Sequence, residues 1–410
     1  DPSRYRADLT SLVSITRPAA IITYPEFEAE VNSALISLNS KAEPSSVRSL
    51  LSTANIPAKA EINWPSRPGL QRQSEDIVLL QHSSGTTGLQ KGVALSHQAV
   101  SNQLDAYARA LHLDECDVIV SWLPLYHDMG LIAGFILPIL LGVPLVLMSP
   151  FDWVRAPYRL MQAITRYRGT LTWLPNFAYN FCAQKIRPRD LEDVDLSTLR
   201  AISNCSEPMR WESHQLFAER FVPYGLDPAA LATCYAMAEN VFAATQNDLS
   251  KLPYVEDVDR ESFTTDRIAR PAFDGRPAIQ MMSCGKPIPN TTIRVVDSKG
   301  HELPERHIGE IVLKSNCMLN EYYNRPDITK KAFLPGDWYI SGDYGYMVNG
   351  AGYFLQGWNV AANGEPDLQY VMRVCAEIAE AVKVLGKAHV VVLRSTVPPG
   401  TLERCAELFA

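Results

Sequence analysis

The chain has no Cys-x-x-Cys pair and no cysteine–histidine spacing suited to a metal, although eight cysteines are scattered along its 410 residues. That spacing reads as the reduced, mostly buried thiols of a cytoplasmic protein, and no signal peptide is visible at the start. Positive charge is in short supply. Lys and Arg number 38 against 45 Asp and Glu, a net charge of -7, which leaves no electrostatic footprint for nucleic acid. An anionic ligand would have to be held by local donors or a cation. No apolar run is long and unbroken enough to span a membrane. The longest, residues 130–148, is interrupted by Pro138 and Pro144, and Gly142-Val143-Pro144 reads as a turn between a buried helix and a buried strand. Internal repeats and low-complexity segments are also missing. The first residue is Asp1 and the last segment keeps a helical pattern without a stop signal, so both ends read as interrupted.

What is present is the composition of a globular protein, 47% hydrophobic and 20% charged, with length for two or three domains. Short apolar runs alternate with amphipathic segments, which predicts an α/β fold with mostly parallel sheet. Residues 77–80 read as a strand covered on both faces. A helix is predicted from about Ser96, with Val100, Leu104, Tyr107, Ala108 and Leu111 on one face. Further strands are predicted at 118–120, 145–147, 171–173 and 199–202, and Pro157 suits the first turn of a helix. Residues 247–280, rich in charge and proline, read as a surface excursion. From 283 the pattern turns to β, with strands at 293–296 and 308–313 and a turn at Asp297-Ser298-Lys299-Gly300. Near Phe354 it changes again, to an amphipathic helix over 367–385 and a strand at 389–393.

The most informative stretch is HSSGTTGLQKGV, residues 82–93. A strand leads into Ser83, Ser84, Gly85, Thr86, Thr87, Gly88 and then Lys91. Such a loop can aim backbone N–H groups and hydroxyls at phosphate oxygens, with the lysine adding charge. It is not a Walker A loop, because it lacks the Gly-Lys-Ser/Thr order and Lys91 precedes Gly92. By composition alone it is more often a flexible turn.

Four further segments follow in order, and with the loop they resemble the adenylate-forming superfamily of acyl-CoA synthetases, luciferases and peptide-synthetase adenylation domains. WLPLYHDMGL (122–131) is similar to the segment beside that family's acyl pocket. The resemblance implies that His127, Asp128 and Met129 border the acyl group and that His127 serves catalysis; otherwise His127 is a buried histidine near a helix start. SNCSEPMR (203–210) resembles the adenine-contacting loop in its fatty-acyl-AMP ligase form, with Ser206, Glu207 and Pro208 as contacts. YAMAEN (235–240) resembles the motif whose aromatic ring packs on adenine and whose glutamate binds magnesium. That implies stacking by Tyr235, nucleotide contacts from Ala236 and Met237, and Mg2+ coordination by Glu239, a carboxylate being a suitable ligand for a hard cation. Ala238 stands where most of the superfamily has threonine, as in the fatty-acyl-AMP ligase branch. YISGDYGYM (339–347) resembles the segment whose aspartate, here Asp343, bonds the ribose hydroxyls. Lys91 and Glu239 are implied to neutralise the phosphates during catalysis.

Three departures accompany the likeness. The portion before the phosphate loop reads as shortened. Trp358 stands where a Gly-Arg hinge is expected, and the small C-terminal domain with the family's catalytic lysine is not seen. In its place, NGEPDLQYV (363–371) through VVVLRSTVPPGT (390–401) resembles the end of the NAD-binding domain of UDP-glucose/GDP-mannose dehydrogenases. The dinucleotide glycine fingerprint, the catalytic cysteine and the sugar-nucleotide domain are missing. The expected organisation is an α/β adenylate-forming core over 1–282, N-terminally incomplete, a small β-rich subdomain of the same large domain over 283–357, and a partial Rossmann-like helix–strand unit over 358–410. The implied activity is ATP- and Mg2+-dependent conversion of a fatty acid to an acyl-adenylate with release of pyrophosphate, for transfer to an acyl carrier protein thiol. An acyl-CoA synthetase, and a module that binds nucleotide or acyl-AMP with little turnover, stay open beside it.

Overall fold

The computed structural model describes residues 2–39, 46–55, 67–82, 91–273, 275–355 and 375–376. The expected phosphate loop at 83–90 lies outside the described residues, as does the dehydrogenase-like unit apart from Cys375 and Ala376, which are helical. The chain divides into two compact units, residues 1–98 with 319–330, and residues 99–318 with 331–410.

In the first unit the helices Pro2–Thr16 and Glu28–Asn39 pack together. The strands Ala20–Thr23 and Ser49–Ser52 run parallel. An antiparallel sheet has the order Glu321–Tyr322, Gly92–Ser96, Ile77–His82, and its middle strand buries Val93, Ala94 and Leu95 completely. Residues 77–80 are therefore not a strand covered on both faces: Ile77 and Val78 are 41% and 47% exposed. The connection over 83–91 is shorter than the dozen or more residues a parallel crossover needs, so only an antiparallel pairing can close.

The second unit is built on a seven-stranded sheet in the order Lys286–Pro287, Ala243–Gln246, Leu231–Ala236, Ala201–Asn204, Leu171–Leu174, Ile119–Ser121, Leu145–Leu147. The last five in that order are mutually parallel, and the first two add antiparallel at one edge. The strand expected at 199–202 starts two residues later because Leu199 closes a turn on the Leu196 carbonyl at 3.0 Å. Helices Tyr158–Tyr167, Asn176–Lys185 and Trp211–Phe221 follow successive strands. Val100, Leu104, Tyr107 and Leu111 of the helix His97–Leu111 are buried along one stripe, as its periodicity demands.

The apolar stretch 130–148 is not one helix. Wide π-helical turns over Met129–Ile136 run into the short helix Leu137–Leu141, which Gly142 ends at φ 71°, and the strand Leu145–Leu147 follows. Gly130 is required by close approach: a Cβ there would sit 2.3 Å from the Pro124 carbonyl oxygen. Among the described residues no helix is long and apolar enough to cross a membrane.

A smaller antiparallel sheet pairs Thr291–Val296 with Gly309–Ser315 and that strand with Trp338–Val348, which also carries Phe333–Leu334 and Ala351–Leu355. The charged excursion is more than surface. Within it Val255–Asp259 pairs antiparallel with Ala278–Met282. Val258, Phe263 and Ala269, with Met281 just past its end, then join Ile308 and, from the smaller sheet, Tyr346, Val348 and Tyr353 in one core cluster. These apolar residues are separated by turns and do not recur periodically, which is why charge and proline masked them. Of the described cysteines only Cys116 is exposed, and none is disulfide-bonded. Burial pushes the Cys284 and Cys317 thiols up to about 12, which keeps them protonated and unreactive.

Candidate active site

Most candidate residues of the second unit lie just past the carboxyl ends of parallel strands, where open α/β sheets hold their ligands. The strand Ala201–Asn204 runs into the loop 205–210, where Ser206 takes φ 67°. The start of the helix Asn176–Lys185 clamps this loop at two points. Glu207 Oε2 accepts from the Phe177 N–H at 2.9 Å, a favourable place for a carboxylate, and the Arg210 N–H donates to Asn176 Oδ1 at 3.0 Å. Asn176 Oδ1 also accepts from Asn204 Nδ2 at 3.1 Å, and its Nδ2 donates to Ser213 Oγ at 3.1 Å. Sequence reasoning missed Asn176, for which a Pro-Asn step at a helix start is the only signal.

His127 precedes the π-helical turns. Its Nδ1 pairs with the Asp128 carboxylate, which also accepts from the Met129 N–H at 2.8 Å. The Asp128 hydrogen bond, helped by the charges of Asp128 and Glu207, raises the imidazole above its ordinary pKa in spite of burial. The electrostatic reach of Glu207 makes the expected acyl and adenine segments neighbours.

Tyr235 and Asp343 are 108 residues apart in sequence, yet the Tyr235 hydroxyl donates to Asp343 Oδ2 at 2.7 Å. Burial, with the Asp343 charge, pushes that hydroxyl well above the usual phenol range, so it stays a donor. Tyr235 has no exposed surface and its ring meets Phe354 edge-on, centroids 4.7 Å apart. Adenine can therefore stack on it only after a neighbour moves. The Asp343 N–H donates to Ser341 Oγ at 3.0 Å, and that hydroxyl donates to the Ile311 carbonyl at 2.7 Å. Glu310 is half-buried nearby, and its carboxyl is raised by burial and by the Asp343 charge.

Beyond Tyr235 the chain passes through Ala236 and Met237 into a single turn, Ala238–Asn240, before Ala243–Gln246 pairs back antiparallel. Met237 N–H bonds the Phe242 carbonyl at 2.9 Å across the loop, and Glu239 on its tip is 9% exposed. Among the described residues no three His, Cys, Asp or Glu side chains form a metal cage. One carboxylate on a tight loop nonetheless fits Mg2+, which keeps several waters and takes phosphate oxygens from its substrate. Lys91 belongs to the first unit, where its Nζ lies 4.9 Å from the centre of the Tyr322 ring. Ser83, Ser84, Gly85, Thr86, Thr87 and Gly88 lie outside the described residues.

Residues 3–323 match the family described as AMP-binding enzyme. The chain belongs to that family. Residues 359–410 match a second one, the NAD-binding domain of the UDP-glucose/GDP-mannose dehydrogenase family. The long-chain-fatty-acid–AMP ligase FadD32 of Mycobacterium marinum is 30% identical over 358 residues, which cover 81% of this chain and 55% of that protein. The medium-chain-fatty-acid–acyl-carrier-protein ligase JamA of Moorena producens is 30% identical over 305 residues, 72% of this chain and 51% of that protein. Among solved structures, the fatty acyl-adenylate ligase from L. pneumophila in complex with acyl adenylate and pyrophosphate matches with a TM-score of 0.73 at 26% identity. That match covers 85% of this chain and 60% of the other. The chain thus spans about half the length of the curated relatives it matches. In this AMP-binding family member the described candidate residues are divided between the units, Lys91 on the first and the others on the second.

Proposed function

We propose that the chain activates a fatty acid with ATP and Mg2+, forming the acyl-adenylate and pyrophosphate, and passes the acyl group to a carrier-protein thiol. The observation that carries this reading is the Tyr235–Asp343 hydrogen bond, which links the segments proposed to hold adenine and ribose. The names of FadD32 and JamA and the solved acyl-adenylate complex support the class of substrate and acceptor. In the reaction a carboxylate oxygen bonds to the α-phosphorus, the bond from that phosphorus to the bridging oxygen breaks, and pyrophosphate leaves with the electron pair. Both partners are anions, so the protein's task is to position them and to balance charge.

In this reading Tyr235 and Asp343 hold the adenosine, with Ala236, Met237 and Ser206, Glu207 and Pro208 along the adenine. Ser83, Ser84, Gly85, Thr86, Thr87, Gly88 and Lys91 hold the phosphates, and His127, Asp128 and Met129 border the acyl group. Glu239 would hold the Mg2+, which when bound supplies positive charge to the phosphates.

The test is exchange of labelled pyrophosphate into ATP, with and without fatty acid, in the parent and Glu239→Gln. Exchange that needs fatty acid and falls about a hundredfold in the variant is expected, the usual scale for losing one electrostatic stabiliser. A parent with no fatty-acid-dependent exchange would sink the reading. Tyr235→Phe keeps the ring but deletes a hydrogen bond to a charged group, and should weaken AMP binding about tenfold. Calorimetric titration showing unchanged affinity would remove Asp343 orientation from the tyrosine's role.

A second reading, nucleotide or acyl-AMP binding with little turnover, is motivated by Trp358, which stands where the resemblance expects the hinge arginine, and by the dehydrogenase match that follows it. It predicts AMP binding that Asp343→Ala abolishes, without exchange. Product analysis with coenzyme A added separates the carrier-protein ligase from an acyl-CoA synthetase.

A further inference from the structure

Val241 closes the loop that carries Glu239, and its backbone is unusual. It has φ 63° and ψ -53°, and the Phe242 N–H donates to the Asn240 carbonyl at 2.7 Å. This bond between residues two apart makes 240–242 a γ-turn of the rare, strained form with positive φ. A β-branched residue in that region is a genuine outlier. Val241 is the only β-branched one among the described non-glycine residues of positive φ; the others are polar Asn, Asp, Arg, Ser and His. It is also fully buried, so its surroundings hold it there.

Those surroundings can be named. Asn240 Nδ2 donates to the Ala243 carbonyl at 2.7 Å, and Asn240 Oδ1 accepts from Ser315 Oγ, on a strand of the smaller sheet. The Val241 N–H bonds the Ala238 carbonyl at 3.0 Å. From the helix His97–Leu111, Gln103 Oε1 accepts from the Phe242 N–H at 3.2 Å. Strain that persists because several elements over-determine it gathers at functional sites.

We infer that the γ-turn at Val241 is a positioning device for the Glu239 carboxylate, and that Val241 and its anchor Ser315 are positioning residues for magnesium-bound ATP. The inference rests on the reading of Glu239 as the Mg2+ ligand. A carboxylate serving a cation with strict octahedral demands gains from being held still. A γ-turn reverses the chain within three residues and so fixes the course of the backbone that carries Glu239, two positions upstream. An unstrained residue at 241 admits wider turns and a wandering carboxylate.

The test is calorimetric titration of ATP into the full chain, with Mg2+ and with EDTA. The parent binds ATP more tightly with Mg2+, and Glu239→Gln erases that gain. Val241→Gly should cut the gain about tenfold, the scale of losing an outer support of a metal ligand, while Mg2+-free affinity stays within about twofold. Ser315→Ala guards against a Val241 variant that fails to fold: it should lower the gain in the same direction by less, and Ser315→Thr should restore it. Full retention of the gain in both Val241→Gly and Ser315→Ala overturns the inference. Equal loss with and without Mg2+ also overturns it, as the mark of a merely structural role. A parent with no Mg2+ gain, or Glu239→Gln with all of it, defeats the magnesium reading itself and takes the inference with it.

Discussion

Lowering the pH from about 6.5 to about 3 should remove up to about 5 kcal/mol of folding stability through His214 alone, at about 1.4 kcal/mol per unit of pKa shift. His214 has no exposed surface and stacks on Tyr179, centroids 4.7 Å apart and planes 3° off parallel. Its Nε2 lies 3.0 Å from Asn204 Nδ2, an amide that also donates to Asn176 Oδ1. The amide orientation is set by that second bond, since turning it would face the Asn204 oxygen onto the Asn176 oxygen. Nε2 must then accept, and the proton sits on Nδ1, which has no partner among the described residues. A second proton would set two N–H groups against each other in a dry interior, so burial pushes the pKa down to about 3. Because the folded value lies below the unfolded one, the unfolded chain binds the proton first. The stability is complete above about pH 6.5 and is lost as the pH falls through that window. Urea unfolding at a series of pH values, parent against His214→Gln, measures it. The advantage of the parent should shrink with acid, and parallel curves would refute the assignment.

The second large effect is expected at Glu256. Its Oε2 accepts from both terminal nitrogens of Arg306 at 3.1 Å, and its Oε1 accepts from the Tyr346 hydroxyl at 2.8 Å. The carboxylate side chain is 7% exposed and the guanidinium 30%. Among the described residues, Glu256→Ala leaves the guanidinium the Ala269 carbonyl as a partner and removes the acceptor of the tyrosine hydroxyl. Breaking a buried pair from one side costs about 3–5 kcal/mol, because the surviving charge is stranded. Replacing both partners, as in Glu256→Leu with Arg306→Met, should cost less than either single change. Denaturant unfolding of the three variants decides the matter, and a Glu256→Ala cost below about 1 kcal/mol would mean water reaches the pair. Exposed pairs such as Arg109–Asp105 should contribute little by comparison.

Much of the candidate site could be read from short segments. Tyr235, Glu239 and Asp343 stood out as candidates because each sits in a short segment that resembles a family motif, YAMAEN or YISGDYGYM. Asn176, His214 and Val241 did not. Asn176 matters through Arg210, 34 residues on, and through Glu207 held by its neighbour Phe177. Val241 resembles any strand-forming valine until its φ is known. The same holds for the fold. The stripe on His97–Leu111 and the turn at Asp297–Gly300 follow from periodicity and turn residues, whereas the antiparallel pairing of Ile77–His82 needed the length of its connection to be weighed.

By itself the sequence determined the α/β class, the order of the motifs and the faces that helices bury, because these depend on residues a few positions apart. Only the tertiary structure decided that Tyr235 meets Asp343, that Glu256 meets Arg306 across 50 residues, and that a valine is held at positive φ beside Glu239. Each of those is settled by many weak contacts summed over the whole second unit, and no local preference encodes such a sum.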